Sequence, residues 1–93
     1  MYKPELIEKI MTKTKAPMTK ADAERVVNGF IEEIINAVAN GESVQLTGFG
    51  TFENRRRAAR KAHNPQTGEA ILIPEKRVPA FKPGKAFKDI VNK

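Results

Sequence analysis

The sequence predicts an α+β fold: a helical first half, then an antiparallel sheet carrying a long projecting β-hairpin, then a short closing helix. Three observations predict it. Residues 19–41 keep an unbroken helical apolar spacing, residues 43–53 alternate apolar and polar as a half-buried strand does, and residues 53–64 hold no large apolar side chain at all.

The elements follow in order. Pro4 suits a first helical position, where its missing N–H costs nothing, and Leu6, Ile7, Ile10 and Met11 repeat at helical spacing over about three turns. Pro17 breaks this helix. Thr19 with Asp22 forms a Thr-x-x-acid start signal for the next. Ala23, Val26, Val27, Phe30, Ile31, Ile34, Ile35 and Val38 then make a wide stripe of about five turns, stopped at Asn40-Gly41. In "SVQLTGFGTFE", Val44 and Leu46 share a face, Gly48-Phe49-Gly50 supplies a turn with Phe49 packed beneath it, and Phe52 resumes the alternation. The stretch from Glu53 pairs with residues 70–81 across Asn64-Pro65-Gln66-Thr67-Gly68, as one hairpin whose outer part reaches roughly 35 Å into solvent at about 3.3 Å per residue. Pro74 and Pro79 lack ladder donors and must face an edge or a bulge. "KPGKAFKDIVNK" closes the chain as a helix with Ala86, Phe87, Ile90 and Val91 inward and Lys82, Lys85 and Lys88 outward.

The 93 residues suit one small domain: 1–41 as a helical dimerisation part, 42–82 as sheet and arm (the arm about 53–75), and 83–93 as C-terminal helix. The apolar stripe is broader than a small sheet and two short helices can cover, and a two-stranded arm is marginal alone in water. Both point to a homodimer sharing one core and carrying two arms, with Phe30, Ile34, Phe49, Phe52 and Phe81 in that core.

Charge is divided unevenly. Residues 1–47 hold six Lys/Arg against seven Asp/Glu, and residues 48–93 hold eleven against four, so the net +6 is −1 plus +7. A basic half on a near-neutral scaffold implies a polyanionic partner. A lipid surface is the rival, but the basic half lacks the apolar amphipathic helix of interfacial binders. No apolar run approaches the ~18 residues that span a bilayer, and Glu5 and Glu8 argue against a signal peptide. The expected location is cytoplasmic. With no cysteine there are neither disulfides nor thiolate metal sites.

Catalysis finds no support. The one histidine sits at the turn with no nucleophile beside it, and Glu32 and Glu33 diverge by about 100° on their helix. No metal spacing or phosphate-binding loop is present, so neither a cofactor nor a small-molecule substrate is expected. The basic ribbon is the chemically informative stretch. Arg55, Arg56, Arg57, Arg60 and Lys61 crowd seven positions, alternation sending Arg55 and Arg57 to one face and Arg56 and Arg60 to the other. A ribbon charged on both faces has no core role, and it is narrow enough to enter a nucleic-acid groove. At its end, His63-Asn64-Pro65-Gln66-Thr67-Gly68 is ordinary turn chemistry by itself. On a cationic arm, however, the rigid proline ring can wedge between base steps and kink a duplex. The glycines at 48 and 50 can let a phosphate approach the backbone.

The succession GFGTF, basic arm, NPQTGE and PAFKPGK closely resembles the bacterial HU-type nucleoid proteins, and the helical half is similar in length and pattern. The resemblance implies an intertwined dimer whose two arms embrace the minor groove, bending and compacting nucleoid DNA with little sequence preference. By position it implies that Pro65 intercalates, that Arg55, Arg57, Arg60, Lys61 and Asn64 are arm contacts, that Lys3, Lys82 and Lys85 hold flanking phosphates, and that Gly48 makes a backbone contact. His63 joins this set where relatives often carry arginine, so the charge beside the wedge depends on pH. Arg56 stands where several relatives have an acid, Leu72 where the arm is often polar, and the stretch TKTKAPMT is slightly longer than usual. The alternatives are a sequence-preferring factor of the integration host factor type, a basic RNA-binding protein, or a protein–protein adaptor.

Overall fold

A computed structural model describes residues 1–15 and 17–93; Ala16, inside the longer inter-helix stretch, lies outside the described residues. The element order is α1 (Lys3–Thr14), α2 (Lys20–Ala39), β1 (Val44–Leu46), β2 (Gly50–Arg57), β3 (Arg60–His63), β4 (Ala70–Ile73), β5 (Lys76–Pro83) and α3 (Lys85–Val91). The chain divides into two compact units, Met1–Asn36 and Ala37–Lys93.

In the first unit, α1 starts at Lys3-Pro4 as the proline dictates and ends at Lys15, whose left-handed φ of 53° lets its N–H reach the Met11 carbonyl at 3.1 Å. The start of α2 is capped by Thr19, whose Oγ1 accepts from the Asp22 N–H at 3.1 Å. Ile7 and Ala23 are buried here, while Lys3 Nζ donates to Asn28 Oδ1 at 2.8 Å. Much of the α2 stripe stays uncovered in a single chain: Val26, Phe30, Ile31 and Ile35 are all exposed, Ile35 by 59%. Val27 and Ile34 are half-buried.

In the second unit, α2 ends through Gly41 (φ 85°), with the Gly41 and Glu42 N–H groups donating to the carbonyls of Val38 and Ala37. Asn54 on β2 ties this end down, its Nδ2 donating to the Val38 carbonyl at 3.0 Å. Strands β1, β2 and β5 form an antiparallel sheet in the order β1-β2-β5. The β1–β2 turn closes by Phe49 N–H to Leu46 O at 3.0 Å, with Gly48 at φ 82° as the left-handed residue the turn requires. Gly50 is needed for a different reason. A Cβ there would stand 2.5 Å from the Lys82 carbonyl oxygen and 2.7 Å from the Phe81 ring.

Four phenylalanines make the core of this unit. Phe81 lies 4.7 Å from Phe52 and 4.9 Å from Phe49 between ring centroids, and Phe49 stacks on Phe87 at 5.5 Å. Each such pair adds about 0.5–1.5 kcal/mol beyond its buried area. Phe49 lies in this cluster, as the turn reading expects, yet its outer side remains exposed. The C-terminal helix differs from expectation. Only Phe87 is half-buried, while Ala86, Ile90 and Val91 face solvent, because α3 runs just two turns and a single sheet covers one side of it.

The hairpin also differs from the single long ladder expected. Pairing runs from Gly50↔Pro83 to Arg57↔Lys76, lapses, and resumes from Arg60↔Ile73 to His63↔Ala70. Paired residue numbers sum to 133 on both sides of the gap, so Ala58 and Ala59 stand opposite Glu75 and Pro74 without a bulge. Pro74 can donate no N–H to Ala59, and the ladder stops there. Pro79, on β5, remains in register opposite Asn54, and among the described residues β5 has only β2 beside it and is therefore an edge strand.

Candidate nucleic-acid interface

The interface is built on the second unit, where the backbone of the hairpin supplies the frame and long cations supply the surface. At the foot of the arm two arginines already have partners. Arg55 Nη2 stands 2.7 Å from Glu53 Oε1, and Arg56 Nε 2.9 Å from Glu75 Oε1, all partly solvated. Exposed pairs of this kind are worth about 0–1 kcal/mol and yield readily to a stronger anion. Arg77, which the sequence reading did not single out, places Nη1 3.5 Å from Asn54 Oδ1.

Arg57, Arg60, Lys61 and His63 continue outward as exposed residues, and none of the ion pairs found among the described residues involves them. Arg57 and Arg60, which strict alternation sends to opposite faces, both border one cavity with Ala58, Ile73, Pro74, Lys76 and Val78. Lys76 was missed as well. The signal was available: a turn closed by Asn64 and Glu69 sets the register that puts Lys76 opposite Arg57.

The tip is fixed by one residue. The Asn64 N–H donates to Glu69 O at 2.8 Å, its carbonyl accepts from the Gly68 N–H at 2.7 Å, and its Oδ1 accepts from the Gln66 N–H at 2.9 Å. Thr67 Oγ1 accepts from the Glu69 N–H at 3.3 Å, and Gly68 takes the left-handed φ of 76° that turns the chain back. Pro65 is spanned by these bonds and exposed. The Asn64 carboxamide oxygen is thus engaged within the turn, so this side chain holds the loop's shape whatever else it touches. His63 forms the last rung opposite Ala70, and Leu72, opposite Lys61, is 68% exposed.

The remaining residues of the expected set lie off the arm. Gly48 is exposed at the β1–β2 turn, with open space where a side chain would stand. Lys82 on β5 and Lys85 at the start of α3 are exposed in the same unit, and Lys3 is exposed in the first unit. Of the expected core set, Phe49, Phe52 and Phe81 come together, while Phe30, 51% exposed, and Ile34 lie along α2. Among the described residues no group of three His, Cys, Asp or Glu is placed to hold a metal, and no helix is long and apolar enough to cross a membrane.

Comparison with known proteins gives a concordant result. Residues 1–92 match the family described as bacterial DNA-binding protein. The chain is 56% identical to the DNA-binding protein HU of Lactococcus lactis over 90 residues, covering 97% of each. It is 54% identical to that of Clostridium pasteurianum over 93 residues, the full length of both. Among solved structures, it superposes on the Anabaena HU from a cocrystal with DNA with a TM-score of 0.87 at 45% identity, covering 98% of this chain and 97% of the other.

Proposed function

The chain belongs to the bacterial DNA-binding protein family, its relatives being HU proteins, and from that membership we propose how its own residues bind and bend DNA. It is an HU-type nucleoid protein, a DNA-binding and DNA-bending architectural protein with little sequence preference and no catalytic role. The observation that carries the residue-level reading is the arm. A ribbon with no core function ends in a proline that three hydrogen bonds of Asn64 hold outward.

Two copies of the 93-residue domain pair through the exposed α2 stripe and the outer side of the phenylalanine cluster, which a single chain leaves in water. The dimer presents two arms to the minor groove. Arg55, Arg57, Arg60 and Lys61 neutralise phosphates along the arms and His63 contacts the duplex beside the tip, while Lys3, Lys82, Lys85 and the Gly48 backbone hold the flanking duplex. Asn64 presents Pro65, which enters a base step. Unstacking costs a few kcal/mol and is offset when the bent duplex meets more cationic surface. The protein acts in the cytoplasm on the nucleoid, and neither cofactor nor metal enters this mechanism.

A gel-shift series on linear, nicked and pre-bent duplexes across salt tests this reading. The expected result is tighter binding to nicked and bent DNA, with log K falling against log salt at about −0.9 per neutralised phosphate. Affinity indifferent to salt would overturn it, as would a preference above about 10³ for one defined sequence.

A further inference from the structure

The dipeptide Asn-Gly occurs twice, at Asn28-Gly29 and Asn40-Gly41, and the fold treats the two pairs oppositely. Asn28 lies in the middle of α2, half-buried, and its Oδ1 accepts from Lys3 Nζ at 2.8 Å. Asn40 follows the last residue of α2 and is exposed, and no hydrogen bond of its carboxamide is found among the described residues. Gly41 comes next with its left-handed φ of 85° and open space where a side chain would stand. Its N–H donates to the Val38 carbonyl at 3.0 Å, a bond at a fraying helix end, where local opening costs least. No other asparagine precedes a glycine, and Asn64 precedes Pro65, whose nitrogen carries no hydrogen to lose.

We propose that Asn40 is a site of spontaneous modification, losing its side-chain amide as ammonia and becoming a mixture of aspartate and isoaspartate. The Gly41 nitrogen gives up its proton and attacks the Asn40 Cγ. A nitrogen–Cγ bond forms, the Cγ–Nδ2 bond breaks, and Nδ2 leaves as ammonia, taking up the proton. Water then opens the cyclic imide. Addition at Cγ gives an aspartate, and addition at the main-chain carbonyl gives an isoaspartate whose chain runs on through the side chain. Water is the only co-reactant, and no oxidant or reductant is needed. Glycine leaves the attack open, since a Cβ on the following residue would crowd the ring. In the middle of α2 the same attack is closed, because the Gly29 N–H belongs to the helical ladder and must first be freed from it. The change has two physical effects. It places a negative charge at the C-terminal end of α2, which the helix dipole disfavours. The isoaspartyl form also adds a methylene to the main chain, inside the turn that the Glu42 N–H closes on the Ala37 carbonyl at 2.9 Å.

The two Asn-Gly pairs serve as each other's control. Full-length protein is held for days in mildly alkaline buffer made with heavy-oxygen water, one sample folded and one in urea. Peptides spanning each pair are then resolved by mass spectrometry, and uptake of heavy oxygen marks an asparagine that passed through the imide. In the folded protein Asn40 should convert at least about tenfold faster than Asn28, and the two rates should converge in urea, where no helix protects Asn28. Wild type aged in this way should unfold at lower urea than fresh protein, whereas Asn40→Gln aged beside it should keep its midpoint. Conversion at Asn40 no faster than at Asn28 in the folded protein overturns the site, as does an Asn40 that stays intact while both pairs convert in urea. Equal midpoints for fresh and aged wild type, with Asn40 converted, overturn the effect on the turn.

Discussion

Arg56, on the last rung but one of the inner ladder, reaches along the arm to Glu75 in the gap beyond it, Nε to Oε1 at 2.9 Å. The carboxylate occupies a guanidinium that a phosphate would otherwise take. Glu75→Gln removes the competitor. Affinity for DNA should rise severalfold at low salt, and the dependence of log K on log salt should steepen by up to about one contact's worth. Titrations at several salt concentrations check both. An unchanged slope would mean that Arg56 does not reach the duplex.

Pro65 and the charges are expected to separate cleanly. Pro65→Ala should lessen bending of a nicked duplex, read by fluorescence transfer between its ends, and leave the salt slope nearly intact, since no charge is lost. Bending equal to wild type would remove the wedge from the mechanism.

Asn64→Ala should reproduce part of that loss with the proline still present. The variant forfeits the Oδ1 bond to the Gln66 N–H, worth about 0.5–1.5 kcal/mol of local order. Faster amide exchange at Gln66, together with reduced bending, is the expected signature.

Gly50→Ala tests the close approach of β2 and β5. The new methyl meets the Lys82 carbonyl, a backbone atom that cannot rotate away. A loss of about 1–3 kcal/mol is expected from thermal or urea unfolding, typical of an overpacked site.

Phe30→Glu places a charge on the exposed α2 stripe. The change costs little if the chain is a monomer in solution. With the stripe as a dimer seam, sedimentation should show dissociation, and stability should become strongly dependent on protein concentration.

Much of this architecture was legible in the residues because local rules acted alone. Thr19 and Asn40-Gly41 bound α2 by capping chemistry, Gly48 marks the first turn, and Asn64 through Gly68 marks the second. The break in the arm was not legible in the same way. Pro74 was recognisable as a missing donor, but its effect depends on which residue stands opposite, and only a settled register shows that Ala59 does. For the same reason Lys76, which that register places opposite Arg57, went unnoticed. At α3, the apolar pattern of Ala86, Ile90 and Val91 describes a surface to be covered, whereas a single chain covers only Phe87. The shape of the tip could be read from turn chemistry, and its role rests on the charged arm beneath it.

The register sum that persists through the gap sets a rule for how this arm can vary. A residue added to one strand alone would slide His63 off Ala70 and uncouple Asn64 from Glu69, spoiling the tip at a distance. Length can change without that penalty only when both strands change together. The arm therefore behaves as a ruler with matched graduations: its span is adjustable in whole rungs, while the turn at its end stays the same.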